Sequence, residues 1–299
     1  MRPRDAAELV ALAALWGGSF LFMRMAVPQF GPVALIAVRV SVAALVLLVV
    51  LVMRGQVRAL ADRVGAVAVV GVANSALPFC LLAYSTLHLG AGEAAILNAT
   101  APLWTLVVGR VCFGTRGSIG RWIGLVLGFT GVIVLFAGRL SGSWSDQGPA
   151  IVAGLAAGLS YACAAHYSKH RLASMPPLVI ATGSQIAAAL CLLPWCAWAW
   201  PAHAVTANAW AAVATLGIAC TALAYVLYFR LIANVGASQA ITVTFLVPMF
   251  ALVWGRLVLG EPVTARTLAG CALVLLGTAA CTDALGPVRQ WWHARRQAA

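Results

Sequence analysis

A stretch of 25 residues occurs twice in this chain, with no insertion or deletion between the copies. GAGEAAILNATAPLWTLVVGRVCFG runs from Gly90 to Gly114, and GASQAITVTFLVPMFALVWGRLVLG runs from Gly236 to Gly260. At this constant offset of 146, Pro102 and Pro248 share a position in the repeat. Glycine and proline restrict the backbone path, so their repetition in register predicts a repeated fold. We interpret the chain as two copies of one helical unit.

Long apolar runs place both copies in a lipid bilayer. The chain is 63% hydrophobic and only 9% charged, which is more apolar surface than a soluble globule buries. A membrane-spanning helix needs about 20 apolar residues. Runs of this kind predict ten helices, near residues 8–27, 32–53, 64–86, 91–111, 119–138, 149–168, 178–200, 208–232, 237–259 and 264–283. The runs are too long for the alternating strands of an outer-membrane barrel.

Five spans per copy bring the chain out on the opposite side of the bilayer, so the second copy would enter from the other side. The sequence therefore predicts an all-α integral membrane protein of ten transmembrane helices in two inverted five-helix repeats. The first repeat covers residues 1–140 and the second covers 149–285, and a cytoplasmic tail follows at 286–299. The polar segment from Ser141 to Pro149 marks the boundary. Because ten helices enclose a complete pathway, we expect a monomer.

The charges predict topology rather than a nucleic-acid partner. The net charge of +12 comes from basic residues that lie mostly in short loops between predicted spans. If the amino terminus is cytoplasmic, most of these loops share the cytoplasmic side, while Arg139, Arg256 and Arg266 lie opposite. We therefore expect a multi-pass protein of the cell inner (plasma) membrane with both termini cytoplasmic. A signal peptide over residues 1–27 is disfavoured, because no cleavage signal follows its apolar run.

Several motifs resemble one family of membrane proteins. LWGGSF, ALIAVRVSVAAL, the repeated helix with its proline and GRLVLGEPVTARTLAGCALVLLG are similar to sequences of the drug/metabolite transporter superfamily, EamA-type permeases. The resemblance covers nearly the whole chain, although Thr115 stands where the second copy has Glu261. It implies ten helices, a central cavity between the halves and export of small metabolites. Within the family the chain is similar to exporters of amino acids, including aromatic ones.

The resemblance also implies which residues line the cavity, through its first, third, fourth, sixth, eighth and ninth helices. The candidate substrate-binding residues are Trp16, Ser19, Ser75, Pro78, Phe79, Asn98, Tyr161, His166, Thr221, Tyr225 and Thr244. A neutral, aromatic and hydroxyl-rich lining suits a zwitterion with an apolar side chain. For Asn98 and His166 a purely structural hydrogen bond is the alternative.

Two prolines and several glycines have predicted mechanical roles. We expect Pro102 and Pro248 to mark bends in helices that open and close the two mouths of the pathway. Glycines at spacings of three and four allow close helix packing. These packing glycines are Gly120, Gly124, Gly128 and Gly131, with Gly270 and Gly277 in the last span.

The ionisable residues restrict the transport mechanism. The chain has seven acidic residues, and none lies in the middle of a predicted span. Since proton antiport usually needs an intramembrane carboxylate, we expect facilitated movement down a gradient, with Glu93 or His166 as the proton carrier in the alternative mechanism. Arg39 lies about two turns into its span, where it either faces protein or water or extends to the outer headgroups.

Other functions remain as alternatives. A nucleotide sugar or other phosphorylated metabolite would require several cavity cations, and a drug or amine would require a buried carboxylate. An integral-membrane enzyme and a channel are the alternatives of another class, although the sequence has no HExxH, GxSxG or selectivity-filter motif. The eight cysteines show no metal-ligand spacing, so we expect no catalytic residue, metal or cofactor.

Overall fold

A computed structural model describes residues 2–137 and 144–282, which are helical and contain no strand. The helices that carry the apolar runs are α1 (Pro3–Met53), α2 (Val64–His88), α3 (Ala91–Phe113), α4 (Ile119–Phe136), α5 (Trp144–Arg171), α6 (Pro177–Trp198), α7 (Ala207–Val235), α8 (Val243–Leu259) and α9 (Ala265–Cys281). The predicted tail at 286–299, Arg139 and residues 141–143 of the predicted boundary lie outside the described residues.

Helix α1 is long enough to cross a bilayer twice. Its 51 residues would extend about 75 Å, more than twice the thickness of the hydrocarbon core, about 30 Å. The helix is broken at Gly31, whose φ of 71° and ψ of 162° lie outside the helical region. A positive φ is readily adopted by glycine because it has no Cβ. The two arms, residues 3–30 and 32–53, match the first two predicted spans.

The helices confirm an all-helical, multi-pass membrane protein. Seven of those described are long and apolar enough to cross a membrane, and α8 and α9 are shorter apolar helices. The arrangement as ten spans in two inverted repeats stays a prediction. Helix α5 begins at Trp144, ahead of the predicted start at residue 149, because the polar composition of this segment hides the first turns from a hydrophobicity pattern.

The sequence repeat is accompanied by a repeat of local structure. Helices α2 and α7 each contain a π-helical turn, Val72–Ala76 and Ile218–Leu223, which begin 146 residues apart. Helices α3 and α8 both end at a glycine with a left-handed backbone, Gly114 with φ 63° and Gly260 with φ 67°. After each glycine, the next N–H bonds to the carbonyl of a residue in the last helical turns, at 3.0 and 3.1 Å.

Helices α4 and α9 pack backbone to backbone through their glycines, as predicted. A Cβ on Gly124 would lie 2.7 Å from the carbonyl oxygen of Gly277, and a Cβ on Gly131 would lie 2.8 Å from that of Gly270. The prediction is wrong for Gly120. A Cβ there would meet only the side chain of Ser118, in the preceding loop, within 4 Å.

The helix ends form two sides of the bundle. We call the side on which α1 begins the amino side, where Asn234, near the end of α7, donates to Asp5 at 3.4 Å. We call the side on which α1 is broken at Gly31 the kink side. There Arg24 donates to the carbonyl of Thr86, near the end of α2, at 2.7 Å.

Candidate functional site

A cavity of about 330 Å³ lies between α2, α5, α6 and α7. It extends from the exposed Pro177, at the amino side, to the buried Ser184 and the half-buried Tyr225. We call this cavity the vestibule. Its lining residues are Val70, Asn74, Ala164, Ala165, Ser168, Pro177, Ile180, Ala181, Ser184, Tyr225 and Phe229.

The counterparts of the vestibule residues in the other half form a packed region. The counterpart of a residue in α5 or α6 lies 145 residues earlier, in α1. Helices α2 and α7 are counterparts of each other, at an offset of 146 residues. We call them the packed counterpart: Ser19, Phe20, Met23, Pro32, Leu35, Ile36, Arg39, Phe79, Ala83, Leu216 and Cys220. All of them except Pro32 are buried. Equivalent positions therefore line an open cavity in one half and fill the core in the other.

A larger groove of about 460 Å³ lies on the outer surface of α4. It is lined by residues of this one helix, namely Ile119, Trp122, Ile123, Val126, Leu127 and Thr130. Because these side chains are almost all apolar and Ile119 is 80% exposed, we assign the groove to the lipid-facing surface.

Arg39 is the buried cation of the packed counterpart, and only 4% of it is exposed. Its Nε donates to the hydroxyl of Thr221 at 3.0 Å, and its Nη1 lies 3.5 Å from the sulfur of Met23. The guanidinium carbon lies 4.0 Å from the ring centroid of Phe79, the geometry of a cation–π contact. The side chain thus faces protein and does not extend to the headgroups. None of the described carboxylates pairs with it.

Gln185 forms a similar hydrogen bond in the other half. Its Nε2 donates to the hydroxyl of Ser75 at 2.9 Å. Ser75 is the counterpart of Thr221, and Gln185 follows the counterpart of Arg39 by one residue. The amide oxygen Oε1 of the fully buried Gln185 has no hydrogen-bond partner within residues 2–137 and 144–282.

Both acceptor hydroxyls lie in the π-helical turns. Ser75 belongs to the turn in α2 and Thr221 to the turn in α7. Such turns weaken the regular backbone pairing, and hydroxyls bond to the carbonyls concerned. Ser160 donates to the carbonyl of Ala73, and Thr221 donates to the carbonyl of Leu216, each at 2.7 Å.

A polar centre therefore lies between the vestibule and the packed counterpart. Tyr225 connects the two, because it lines the vestibule and lies near both Ser75 and Arg39. We use the name polar centre for Arg39, Ser75, Gln185, Thr221 and Tyr225.

The structure brings some of the predicted site residues together. Ser75, Thr221 and Tyr225 belong to the polar centre, and Phe79 lies beneath Arg39. Two other predicted residues of this region, Ser19 and Pro78, are buried. Trp16 and Tyr161 are half-buried and pack against the buried apolar cluster that contains Phe79.

Three predicted site residues make contacts elsewhere. The Nε2 of His166 lies 3.1 Å from the carbonyl oxygen of Thr105, and its ring stacks on Phe113 with centroids 4.9 Å apart. The hydroxyl of Thr244 donates to a carbonyl of its own turn at 2.8 Å. The Oδ1 of Asn98 is buried and has no described partner. None of the contacts described here joins these three residues to the polar centre, and His166 fits its structural alternative.

Sequence reasoning missed the central roles of Arg39 and Gln185. The position of Arg39 was left open between protein and headgroups, and Gln185 was not considered. The signal that identifies them is the repeat itself. Aligning the two copies places the only strongly polar side chains of these two spans next to one another in register, opposite Thr221 and Ser75.

An ion pair and helix-end contacts join four segments on the kink side, and we call them the latch. Arg24 donates through Nη1 to the carbonyls of Thr86 and Leu87, both at 2.7 Å. Its Nε lies 3.8 Å from Oε1 of Glu261. Both oxygens of Glu261 accept from the N–H of Ala91, at 3.1 and 3.0 Å, where α3 begins. A carboxylate at a helix start is stabilised by the free N–H groups there.

The counterpart of the latch on the amino side is different. Lys169 and Thr115 stand in the places of Arg24 and Glu261, so no ion pair of this kind can form. The hydroxyl of Thr115 lies close to Gly109, because a Cβ on that glycine would be 2.8 Å from the hydroxyl oxygen. Among the described residues, the ion pair at these repeat positions is therefore found on the kink side only, whereas on the amino side Arg230 of α7 lies 3.1 Å from Glu8 of α1.

The two predicted hinge prolines lie in different contexts. Helix α3 is interrupted at Ala99 and Thr100, directly before Pro102. In the second copy the interruption lies at Ile241 and Thr242, whereas Pro248 lies inside α8. The interruptions are therefore out of register although the prolines are in register, and the role of both prolines as hinges stays a prediction.

Comparisons with known proteins agree with the membrane fold. The sequence model of the EamA-like transporter family matches the chain twice, over residues 7–137 and 148–282. A solved crystal structure of a protein superposes with a TM-score of 0.65 at 19% identity, and the match covers 94% of this chain and 98% of that one. At this identity the likeness concerns the fold alone.

Similar sequences carry the names of transporters. An uncharacterized transporter of Archaeoglobus fulgidus is 23% identical over 90% of this chain and 95% of its own. A probable terminal-alkyne amino-acid exporter of Streptantibioticus cattleyicolor is 24% identical over 90% of each chain. The uncharacterized inner membrane transporter YedA of Escherichia coli is 30% identical over 45% of this chain and 44% of its own.

Proposed function

Because the chain belongs to the EamA-like transporter family, we propose that it is a secondary transporter that exports small amphipathic metabolites by alternating access. Its cargo would be amino acids, including those with aromatic or apolar side chains. Its ten spans would form two inverted repeats around the polar centre. This function needs neither ATP nor a cofactor.

The contrast between the vestibule and the packed counterpart carries the proposal. Ile180 lines the vestibule, whereas Leu35, its counterpart, is fully buried. Tyr225 lines the vestibule, whereas Phe79 is buried. If the two halves exchanged conformations, the cavity would open on the kink side and close on the amino side. Two states of similar energy related in this way are what inverted repeats provide.

The chemistry of the vestibule supports an amphipathic cargo. Tyr225 and Phe229 offer aromatic faces to an apolar side chain, and the polar centre offers hydrogen-bonding groups to its charged end. The Streptantibioticus cattleyicolor relative, a probable terminal-alkyne amino-acid exporter, agrees with this class of cargo. The polar centre has one cation, Arg39, whereas a phosphorylated cargo would require several.

The acidic residues support facilitated movement rather than proton antiport. Of the acidic side chains described, none belongs to the polar centre or lines the vestibule. Glu93 accepts from the N–H of Gly90 at 3.0 Å, in the first turn of α3. Glu261 is held in the latch. A carboxylate held at a helix start is poorly placed to carry protons through the centre of the bilayer.

The proposed location is the cell inner membrane, with both termini in the cytoplasm and the chain working as a monomer. The distribution of basic residues supports this orientation. In it, the vestibule opens to the cytoplasm, which is where an exporter loads its cargo.

Counterflow in proteoliposomes tests the proposal. Purified protein should exchange labelled amino acids, whereas labelled sugars and nucleotides should not move. Ala181→Trp should abolish exchange because it fills the vestibule. Leu190→Trp on the same helix, where the side chain is 64% exposed, is the matched control and should retain it. Exchange of nucleotides, or exchange that survives Ala181→Trp, would contradict the proposal.

A pH gradient separates the two mechanisms. For facilitated transport, the final internal concentration of a labelled amino acid should equal the external one, with or without the gradient. Accumulation against a concentration difference, driven by the pH gradient, would overturn the facilitated mechanism and indicate a proton carrier such as Glu93.

A further inference from the structure

We infer that Arg39 and Gln185 together form the recognition site for the α-carboxylate and α-ammonium groups of an amino acid. The inference rests on the proposed function, because it names the part of the cargo that the polar centre would hold. It makes α-amino acids the substrate class and excludes amines that lack a carboxylate.

The first argument is the uncompensated charge of Arg39. A buried cation in a membrane protein is costly unless an anion or several acceptors compensate it. The ionisable side chains near Arg39 are Tyr161, Cys220 and Tyr225, and none of them is a carboxylate. Within residues 2–137 and 144–282, Arg39 bonds through Nε and Nη1 only, which leaves the donors of Nη2 for a ligand. A carboxylate is the anion that a guanidinium binds with best geometry.

The second argument is the unsatisfied oxygen of Gln185. This side chain is fully buried, and its Nε2 is bonded to Ser75. With the amide in this orientation, the atom left over is the acceptor Oε1. Leaving a buried acceptor without a donor costs about 1–3 kcal/mol. An ammonium group is a donor that would remove this cost.

The third argument is the placement of the two groups. Gln185 bonds to Ser75, and Arg39 lies over Phe79, four residues further along α2. Residues four apart in a helix lie on the same face, about 5–6 Å apart. Tyr225 lies near both Ser75 and Arg39 and lines the vestibule. An amino acid that enters from the vestibule would therefore meet an anion-binding group and a cation-binding group side by side.

The hydrogen bonds donated by Arg39 and Gln185 connect the recognition site to both halves of the protein. Arg39 links the second arm of α1 to α7, and Gln185 links α6 to α2. A cargo held between them would contact both repeats at the point where the vestibule meets the packed counterpart. We expect the same two groups to hold the cargo when the opposite side opens.

Three related compounds test the inference on the wild-type protein. Unlabelled L-phenylalanine, phenethylamine and 3-phenylpropionate compete with labelled L-phenylalanine for counterflow in proteoliposomes. Phenethylamine lacks the carboxylate and 3-phenylpropionate lacks the ammonium group. Each should compete about 10- to 100-fold less well than L-phenylalanine, the range for loss of one hydrogen-bonded charged group. Equal competition by phenethylamine would overturn the inference without any variant.

Variants show whether these two residues cause the discrimination. Arg39→Gln should lower exchange of L-phenylalanine about 10- to 100-fold. Gln185→Glu supplies a carboxylate beside Arg39, so it should narrow or reverse the preference for L-phenylalanine over phenethylamine, an effect that misfolding cannot produce. Arg256→Gln removes an exposed arginine of α8. It should leave unchanged both the exchange of L-phenylalanine and the preference for L-phenylalanine over phenethylamine.

The outcomes distinguish this inference from the proposed function. If L-phenylalanine exchanges but Arg39→Gln and Gln185→Glu keep the wild-type preference, the transporter proposal stands and the recognition site is wrong. If no amino acid exchanges and none of the three compounds raises the melting temperature of the purified protein, the proposed cargo and this inference both fail.

Discussion

The vestibule and the packed counterpart consist of equivalent positions in two copies of one sequence, yet one is open and the other is closed. Side-chain size accounts for part of the difference, because Ala165 and Ser168 in the vestibule correspond to the larger Phe20 and Met23 in the core. Size does not account for all of it, since Ile180 in the vestibule corresponds to Leu35 in the core. The conformational difference also accompanies a difference in helix ends. The latch of Arg24 and Glu261 joins helices on the kink side, whereas the ion pair on the amino side lies at other positions, between Glu8 of α1 and Arg230 of α7. The comparison suggests that side-specific contacts, rather than the repeat itself, select which side is open.

The largest effect that we expect is a difference in the rate of chemical labelling between the vestibule and the packed counterpart. In a chain whose eight cysteines are replaced by alanine, Ile180→Cys should react with a soluble maleimide about 100-fold faster than Leu35→Cys. The reason is that a minor state of about 1% would be needed to expose residue 35. Reaction rates of the purified protein measure the ratio. Ala165→Cys and Phe20→Cys form a second matched pair, and equal rates in both pairs would contradict the comparison.

Removal of the latch should give the next largest effect. Glu261→Gln removes the ion pair with Arg24 but leaves an amide oxygen for the N–H of Ala91, so the kink side should open more often. For a hydrogen-bonded ion pair that is partly exposed, we expect labelling of Leu35→Cys to become about 10-fold faster. The measurement is the same maleimide rate in the presence and absence of Glu261→Gln.

Two controls make the latch prediction specific. Thr115→Val alters the counterpart of Glu261, a residue that forms no ion pair, and should leave the labelling rate unchanged. Arg24→Gln should have the effect of Glu261→Gln, and the double variant should add little, since the two residues act as one pair. Independent, additive effects would show that the latch does not act as a unit.

Glycine substitutions test the contacts that are alike in both halves. A Cβ on Gly71 would lie 2.7 Å from the carbonyl oxygen of Ser184, and a Cβ on Gly217 would lie 3.0 Å from that of Arg39. These two contacts are counterparts. Gly71→Ala and Gly217→Ala should therefore lower the free energy of unfolding by similar amounts, about 1–3 kcal/mol each. Unfolding in a denaturing detergent measures both.

The matched control for this prediction is Gly65→Ala. A Cβ on Gly65 would meet nothing within 4 Å, so the substitution should be neutral or slightly stabilising, by less than about 1 kcal/mol. A large effect at Gly217 with none at Gly71 would show that the two helix crossings are not equivalent, and the comparison between the halves would then lose its basis.

Much of the fold follows from the sequence, because the bilayer reduces the possible structures to apolar helices of known length. The repeat of glycines also explains the paired left-handed caps, since it places Gly114 and Gly260 at equivalent helix ends. The sequence does not predict which of the two halves is open and which is packed. Leu35 and Ile180 have the same chemistry, so no hydrophobicity pattern separates the buried one from the one that lines a cavity.

The site was predicted less completely than the fold, for two physical reasons. Aromatic and hydroxyl side chains such as Tyr225 and Thr221 are recognisable in an apolar helix, and these were identified. Arg39 lies in its span at a depth that is compatible with two directions of the side chain, and only packing decides between them. His166 was included because histidine is chemically versatile, but its position against Thr105 depends on how α5 packs on α3.

Proline substitutions should give the smallest effect and sharpen the comparison at the helix interruptions. Pro248 lies inside α8 and cannot donate to the carbonyl of Thr244, so Pro248→Ala should restore a helical hydrogen bond and stiffen α8. Pro102 lies in the first turn after an interruption, where a missing N–H is tolerated, so Pro102→Ala should change less. We expect both variants to fold and transport to slow by less than about fivefold, a barrier change of about 1 kcal/mol, with Pro248→Ala the slower. Initial rates of counterflow measure the difference. A slower rate for Pro102→Ala would show that the interruption at Ala99 and Thr100, and not the proline inside α8, limits the exchange between the two states.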